Sequence, residues 1–201
     1  MDQLHLFDNG QSSGLPVDLL EYHPYFFDEN TSQELLDRLI STTPWEQRQV
    51  TMYGKKMLTP RLTAWFGNSG TDYSFTGTRY DPLPWTDDLL LIKKQIEPLS
   101  GLTFNSVLLN YYRNGNDSVA WHSDNEAVLG SHPVIASVSF GQTRAFEIRN
   151  KKDHGQKHTI RLENGSFLLM KGDLQVHWEH RIAKSKLPMK PRVNLTFRVI
   201  F

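Results

Sequence analysis

The sequence predicts an α+β fold in which helices precede a β core. Two helical apolar stripes lie before residue 100, and short β-rich runs divided by turn residues fill the chain beyond Gly101.

Residues 1–14 read as a flexible N-terminal arm, and residues 15–201 as a single domain. In "TSQELLDRLIST", Thr31 stands three residues ahead of Glu34 in a capping-box pattern. Leu35, Leu36, Leu39 and Ile40 then fall on one stripe, which predicts the first helix with Thr31 as its cap. Residues 46–85 hold "QVTMYGKKMLTPRLTAWFG" and "DYSFTGTRY", aromatic segments broken by Gly and Pro, which predict hairpins or a lid. After "PLPW", Thr86 caps a second helix whose Leu89, Ile92, Ile96 and Leu99 recur at helical spacing. Residues 101–201 are the β core: "TFNSVLLNYY", "VIASVSF", "RAFEIRN", "KHTIRL", "SFLLMK" and "RVNLTFRVIF" predict antiparallel strands of a sandwich or barrel.

Composition excludes several classes. With 38% hydrophobic residues the chain can bury a core, yet no run approaches the roughly 18 consecutive apolar residues of a membrane span. The start, "MDQLHLFDNG", lacks the basic-then-apolar pattern of a secretory signal, so a cytoplasmic location is expected, or a nuclear one in a eukaryote. There is no cysteine, so no disulfide and no thiolate ligand; any metal must be held by His and carboxylate. The net charge is zero, but residues 1–46 carry nine acids against one base, Arg38, whereas His180–Phe201 carry six Lys or Arg and no acid. Such asymmetry suits a face that meets phosphates, or two ends that neutralise each other in the fold.

"WHSDNE" at 121–126 places His122 and Asp124 two positions apart, on the same side of an extended segment. A third ligand is available in "QVHWEH", where His177 and His180 are three apart and face opposite ways in a strand, so only one points inward. Two imidazoles and one carboxylate form the facial set of non-haem Fe(II) oxygenases; Zn²⁺ also accepts it, but no H-E-x-x-H helix accompanies it here. In "RVNLTFR", Arg192, Asn194, Thr196 and Arg198 alternate with Val193, Leu195, Phe197 and Val199. One face is core-like, and the other carries two guanidiniums suited to gripping a short dicarboxylic acid at both ends.

The ordered set "LLNYY", "WHSDNE", "IASVSFG", "TRAFEIR", "GSFLLMKGDLQVHWEH" and "PRVNLTFR", with "PRLTAWFG" upstream, resembles the AlkB family of Fe(II)- and 2-oxoglutarate-dependent dioxygenases, nearest its eukaryotic-type alkylation-repair members. The resemblance implies a double-stranded β-helix, or jelly-roll, core with the N-terminal helices packed on it and a nucleotide-recognition lid over 46–85. It implies His122, Asp124 and His180 as iron ligands, with His177 excluded, and Asn110, Tyr112, Arg192, Asn194 and Arg198 as the contacts of 2-oxoglutarate, with O₂ as second substrate. The implied reaction is oxidative demethylation of N-alkylated bases of the 1-methyladenine and 3-methylcytosine type in DNA or RNA. It is coupled to decarboxylation of 2-oxoglutarate to succinate and releases formaldehyde. A base inside a duplex must be flipped out or presented from a single strand. Trp65 and Phe66 are the expected walls of its pocket, Glu126 the acceptor for an exocyclic amine, and Tyr53 or Met52 the side chain filling the vacated stack, with Lys55 and Lys56 near phosphate. A monomer bound to nucleic acid and to no membrane is expected. Two other readings stand beside this one: an oxygenase acting on a protein side chain, lipid or small molecule, and a catalytically silent nucleic-acid-binding module.

Overall fold

The computed structural model describes residues 17–52, 55–71, 73–75 and 78–201. In chain order it forms β1 (Leu20–His23), α1 (Glu29–Thr42), β2 (Gln49–Met52), β3 (Lys55–Leu58), β4 (Leu62–Gly67), β5 (Tyr73–Phe75), β6 (Thr78–Tyr80) and α2 (Asp87–Ser100). The second half contains β7 (Ser106–Tyr112), β8 (Val119–His122), β9 (Ile135–Gly141), β10 (Arg144–Asn150), β11 (Lys157–Leu162) and β12 (Ser166–Met170). It ends with the one-turn α3 (Leu174–His177), β13 (Trp178–Ile182) and β14 (Arg192–Arg198). The arm expected over residues 1–14 lies outside the described residues.

Antiparallel pairing assembles these strands into a six-stranded sheet, β1-β12-β9-β14-β7-β4, and a four-stranded sheet, β11-β10-β13-β8, with β2-β3 and β5-β6 as separate pairs. This is the jelly-roll arrangement, and residue alternation explains its layering. Along the six-stranded sheet, Ala64, Phe66, Val107, Leu109, Val138, Phe140, Leu169, Val193, Leu195 and Phe197 face the helices, where Leu35, Leu36 and Leu39 of α1 and Leu89, Ile92 and Ile96 of α2 meet them. Each fully buried Val, Leu, Ile or Phe among them contributes about 1.5–3 kcal/mol relative to exposure. The opposite face joins a second core with the four-stranded sheet, built from Tyr112, Ile135, Phe146, Ile148, Leu162, Leu168, Met170, Trp178 and Ile182. The cavity described below lies between the two sheets.

Local chemistry sets the helix ends. α2 starts where expected, with Thr86 Oγ1 accepting from Leu89 N–H, and stops at Gly101, whose φ of 68° is the left-handed C-cap conformation. Leu99 is 39% exposed, so the buried stripe of α2 ends one turn earlier than the spacing suggested. α1 begins three residues earlier than expected. Asp28, not Thr31, is its cap, because the Asp28 carboxylate accepts both the Thr31 N–H at 2.9 Å and the Thr31 hydroxyl at 2.7 Å. The segment 46–85 is more than a lid: β4 pairs with β7 from Leu62↔Tyr111 to Gly67↔Ser106 and forms one edge of the six-stranded sheet.

Candidate metal centre

β8 and β13 are neighbours, and their register sets His122 opposite His180. The two imidazole centroids are 4.3 Å apart. Two residues beyond His122 the chain has left the strand, and Asp124 turns its carboxylate back so that Oδ1 lies 3.8 Å from His122 Nε2. One ligand atom from each of His122, Asp124 and His180 lies within 4.8 Å of the others, and no other metal-holding group of this kind occurs among the described residues.

Hydrogen bonds aim His122 and Asp124, and burial sets the state of His180. His122 Nδ1 is 2.9 Å from the Ala120 carbonyl, which can only accept, so Nδ1 donates and Nε2 is the ring nitrogen turned to the centre. Burial, reinforced by the His122 ring, pushes His180 down to about 3, so its imidazole is neutral and free to ligate. Burial by itself would raise the Asp124 carboxyl, but the Arg198 guanidinium and the two imidazoles override it and hold the group far below the usual carboxylate range. Arg198 Nη2 donates to Asp124 Oδ2 at 2.9 Å, leaving Oδ1 toward the imidazoles. Asp124 N–H donates to Gln175 Oε1 at 2.9 Å.

The polar face of β14 forms the other wall. Arg192, Asn194, Thr196 and Arg198 all line one cavity with His122, Asp124, His180, Asn110 and Tyr112. All eight residues expected to hold metal or 2-oxoglutarate therefore share a single space. Arg192 is 1% exposed, and burial pushes its guanidinium down to about 10, so it stays cationic. Its Nη2 donates to Ser139 Oγ at 2.9 Å, while Nε and Nη1 have no hydrogen-bond partner among the described residues. A buried cation with two unmet donors is costly unless an anion joins it. A neutral-imidazole and carboxylate donor set suits Fe(II), and the Arg192 donors suit a carboxylate, so the residues present fit both the metal and 2-oxoglutarate. The two arginines are not equivalent grips on a dicarboxylate, because Arg198 is tied to Asp124.

The expected walls of the base pocket need correction. Phe66 is 3% exposed and packs on the helix side of the sheet, so it cannot wall a base pocket. Trp65 is on the opposite face but is 2% exposed, donates from Nε1 to the Thr71 carbonyl and does not line the cavity. Glu126 is partly exposed at the start of the short turn Ala127–Leu129, near the ligands but outside the cavity lining. Tyr53 lies outside the described residues. His177 is exposed at the end of α3, whereas His180 is 6% exposed and in the centre, which resolves the choice between them.

Several site residues escape sequence reasoning. Arg61 lines the cavity and donates to Asn110 Oδ1 at 2.7 Å. Ser137 and Ser139 hold the Asn194 amide and the Arg192 guanidinium. Their alternation within the otherwise apolar "VIASVSF" was a readable signal of a polar inner face; Gln175 gave none.

Residues 20–198 match the model of the 2OG-Fe(II) oxygenase superfamily. The chain is 42% identical over 188 residues to alpha-ketoglutarate-dependent dioxygenase alkB homolog 3 of Rattus norvegicus, covering 89% of this chain and 63% of that protein. It is 38% identical over 159 residues to the DNA oxidative demethylase ALKBH2 of Homo sapiens, covering 76% and 61% of the respective chains. It thus spans just under two thirds of the length of the curated relatives it matches. The solved structure of OsALKBH1 superposes with a TM-score of 0.63 at 16% identity, over 90% of this chain and 97% of that one, a likeness of fold.

Proposed function

This chain belongs to the 2OG-Fe(II) oxygenase superfamily and to its AlkB family, and from that premise we propose that it is an Fe(II)- and 2-oxoglutarate-dependent dioxygenase that demethylates N-alkylated bases of DNA or RNA. The observation that carries the reading is the single cavity in which the His122–Asp124–His180 set faces the unmet donors of Arg192. The relatives' names supply the substrate class: one is a DNA oxidative demethylase, and 1-methyladenine and 3-methylcytosine are the bases proposed for this chain.

In this reading the metal and 2-oxoglutarate supply the oxidising power, with O₂ consumed, succinate and CO₂ formed, and the hydroxylated methyl group lost as formaldehyde. The protein contributes positioning and electrostatics. His122, Asp124 and His180 would hold the metal. Arg192, with Tyr112 against its guanidinium at 5.1 Å, would receive a carboxylate of 2-oxoglutarate. Asn110 and Asn194 flank it, each already oriented, by Arg61 and by Ser137 respectively. Arg198 holds Asp124 Oδ2, so the carboxylate keeps Oδ1 toward the imidazoles, where it would hold the metal. The base enters over His122, whose side chain is 38% exposed and forms the open edge of the site. Glu126 is proposed to accept from the exocyclic amine, its negative charge matching the positive charge that alkylation places on the ring. Tyr53 or Met52 is proposed to fill the vacated stack.

The test is formaldehyde release from single- and double-stranded oligonucleotides carrying one 1-methyladenine or 3-methylcytosine, with and without 2-oxoglutarate. Release that needs 2-oxoglutarate and disappears in Asp124→Ala is expected. Consumption of 2-oxoglutarate with no formaldehyde from any oligonucleotide would instead favour a substrate outside nucleic acid.

A further inference from the structure

β8 carries His122 and is the least secured strand of the four-stranded sheet. It lies at the edge of that sheet and pairs with β13 only at His180↔His122 and Ile182↔Val119, with an irregularity in register between them. Such an edge is free to shift in register unless side chains pin it. The pin lies on the outer face, one residue before the ligand. Trp121 points away from the cavity, and its ring meets two guanidiniums: Arg149 of β10 at 4.1 Å and Arg181 of β13 at 4.6 Å, with Lys157 of β11 at 5.7 Å. These cations are themselves held in a cross-strand lattice. Arg149 faces Glu179 in the β10–β13 register and donates to it at 2.6 Å. Arg181 faces Glu147 and donates to it at 2.8 Å, and Lys157 pairs with the same Glu147 at 2.5 Å. One aromatic ring therefore spans strands β8, β13, β10 and β11, fastening the edge strand to the three behind it.

The geometry points to Trp121 as a positioning residue for the metal centre: by lying over Arg149 and Arg181 it fixes the register of β8, and through β8 the place of the adjacent His122 imidazole. Trp121 touches neither the metal nor the substrate. Its effect is pre-organisation: without it, β8 must be ordered at the moment of metal binding, and affinity falls accordingly. A cation–π origin makes the ring specific, so Phe keeps part of the effect and Leu, which is smaller and has no π face, keeps little.

This inference rests on the proposed metal centre, and the experiment separates the two. Co(II) is titrated into wild type, His122→Ala, Trp121→Ala, Trp121→Leu and Trp121→Phe, following the visible absorption of the bound ion, with thermal melting of each metal-free protein alongside. Wild type is expected to bind one equivalent and His122→Ala to lose the band; a wild type that binds no Co(II) would overturn the centre and this inference together. Trp121→Leu is expected to bind about tenfold more weakly, with Trp121→Phe recovering most of the loss. The comparison is made well below the melting point of each variant and against Leu39→Ala, which lowers stability from the helix-side core. Should Trp121→Ala fail to fold, the Leu and Phe variants decide. A loss under threefold in Trp121→Leu, or an equal loss in Leu39→Ala, would overturn the positioning role while leaving the centre standing.

Discussion

The two walls of the cavity are built in opposite ways. β14 is central in the six-stranded sheet, paired along its length with β7 on one side and β9 on the other, and all seven of its residues are buried. Arg192 and Asn194 inherit their positions from this double ladder. β8 is an edge strand with two register pairs, and Asp124 lies beyond its end. The metal ligands on that side owe their positions to individual tethers: the Ala120 carbonyl on His122, Gln175 on the Asp124 backbone and Arg198 on its carboxylate. The contrast teaches that the anion-binding wall is set by the fold, whereas the metal-binding wall is set by a few side chains. Substitutions should affect the two walls differently.

The largest effect is expected where the walls meet. Asp124→Ala removes a metal ligand and breaks a buried ion pair with Arg198, so it should abolish metal binding and formaldehyde release and lower stability by about 3–5 kcal/mol. Chemical denaturation beside the activity assay checks both; full stability in the variant would show that the pair is not the joint between the sheets.

Arg192→Met should separate binding from stability. Two charge-assisted hydrogen bonds are lost, so affinity for 2-oxoglutarate should fall about 100-fold or more. The fold should be as stable as wild type or more so, because a buried cation with unmet donors is replaced by an apolar chain of similar length. Titration calorimetry and a melting curve test the two halves; a variant that binds 2-oxoglutarate normally would remove Arg192 from the site.

Gln175→Leu is the corresponding break on the other wall. It frees the Asp124 N–H and should weaken divalent-metal binding about tenfold while leaving 2-oxoglutarate affinity at saturating metal nearly unchanged. Equal losses for metal and 2-oxoglutarate would mean that the walls are not separable.

The smallest effect lies far from both. Asp28→Ala removes the α1 cap and should lower the melting temperature by about 2–4 °C with no change in either affinity. The Thr31 N–H holds the Asp28 carboxyl below its ordinary value. The cap's contribution is therefore complete above the ordinary aspartate range and is lost as pH falls through the lowered value, so wild type and variant should converge in acid.

Legibility in the sequence follows the same division. The polar–apolar alternation of β14 was readable because each face of a central strand meets one environment throughout, and the structure keeps every one of those assignments from Arg192 to Arg198. His122 and Asp124 were readable from their two-residue spacing. The adjacent pair Trp65 and Phe66 misled: neighbours in a strand point to opposite faces, so they cannot both wall one pocket, and here both are buried. Arg61, one residue before β4, stands two before Thr63 and lines the cavity, a spacing the period of two would have revealed. The α1 cap was misassigned because Asp28 and Thr31 both satisfy the composition of a cap, and the choice between them is made by the path of the preceding chain. Gln175 meets Asp124 across 51 residues of sequence, and the stack on Trp121 joins four strands; neither leaves a local trace.

The measurement that bears most directly on a site shared by two sheets is titration calorimetry of 2-oxoglutarate with and without Mn(II), and of Mn(II) with and without 2-oxoglutarate. If 2-oxoglutarate binds against the metal in this cavity, each tightens the other, by linkage by the same factor, and at least tenfold coupling at one equivalent of each is expected. Independent binding, with neither affinity altered by the other ligand, would contradict the account.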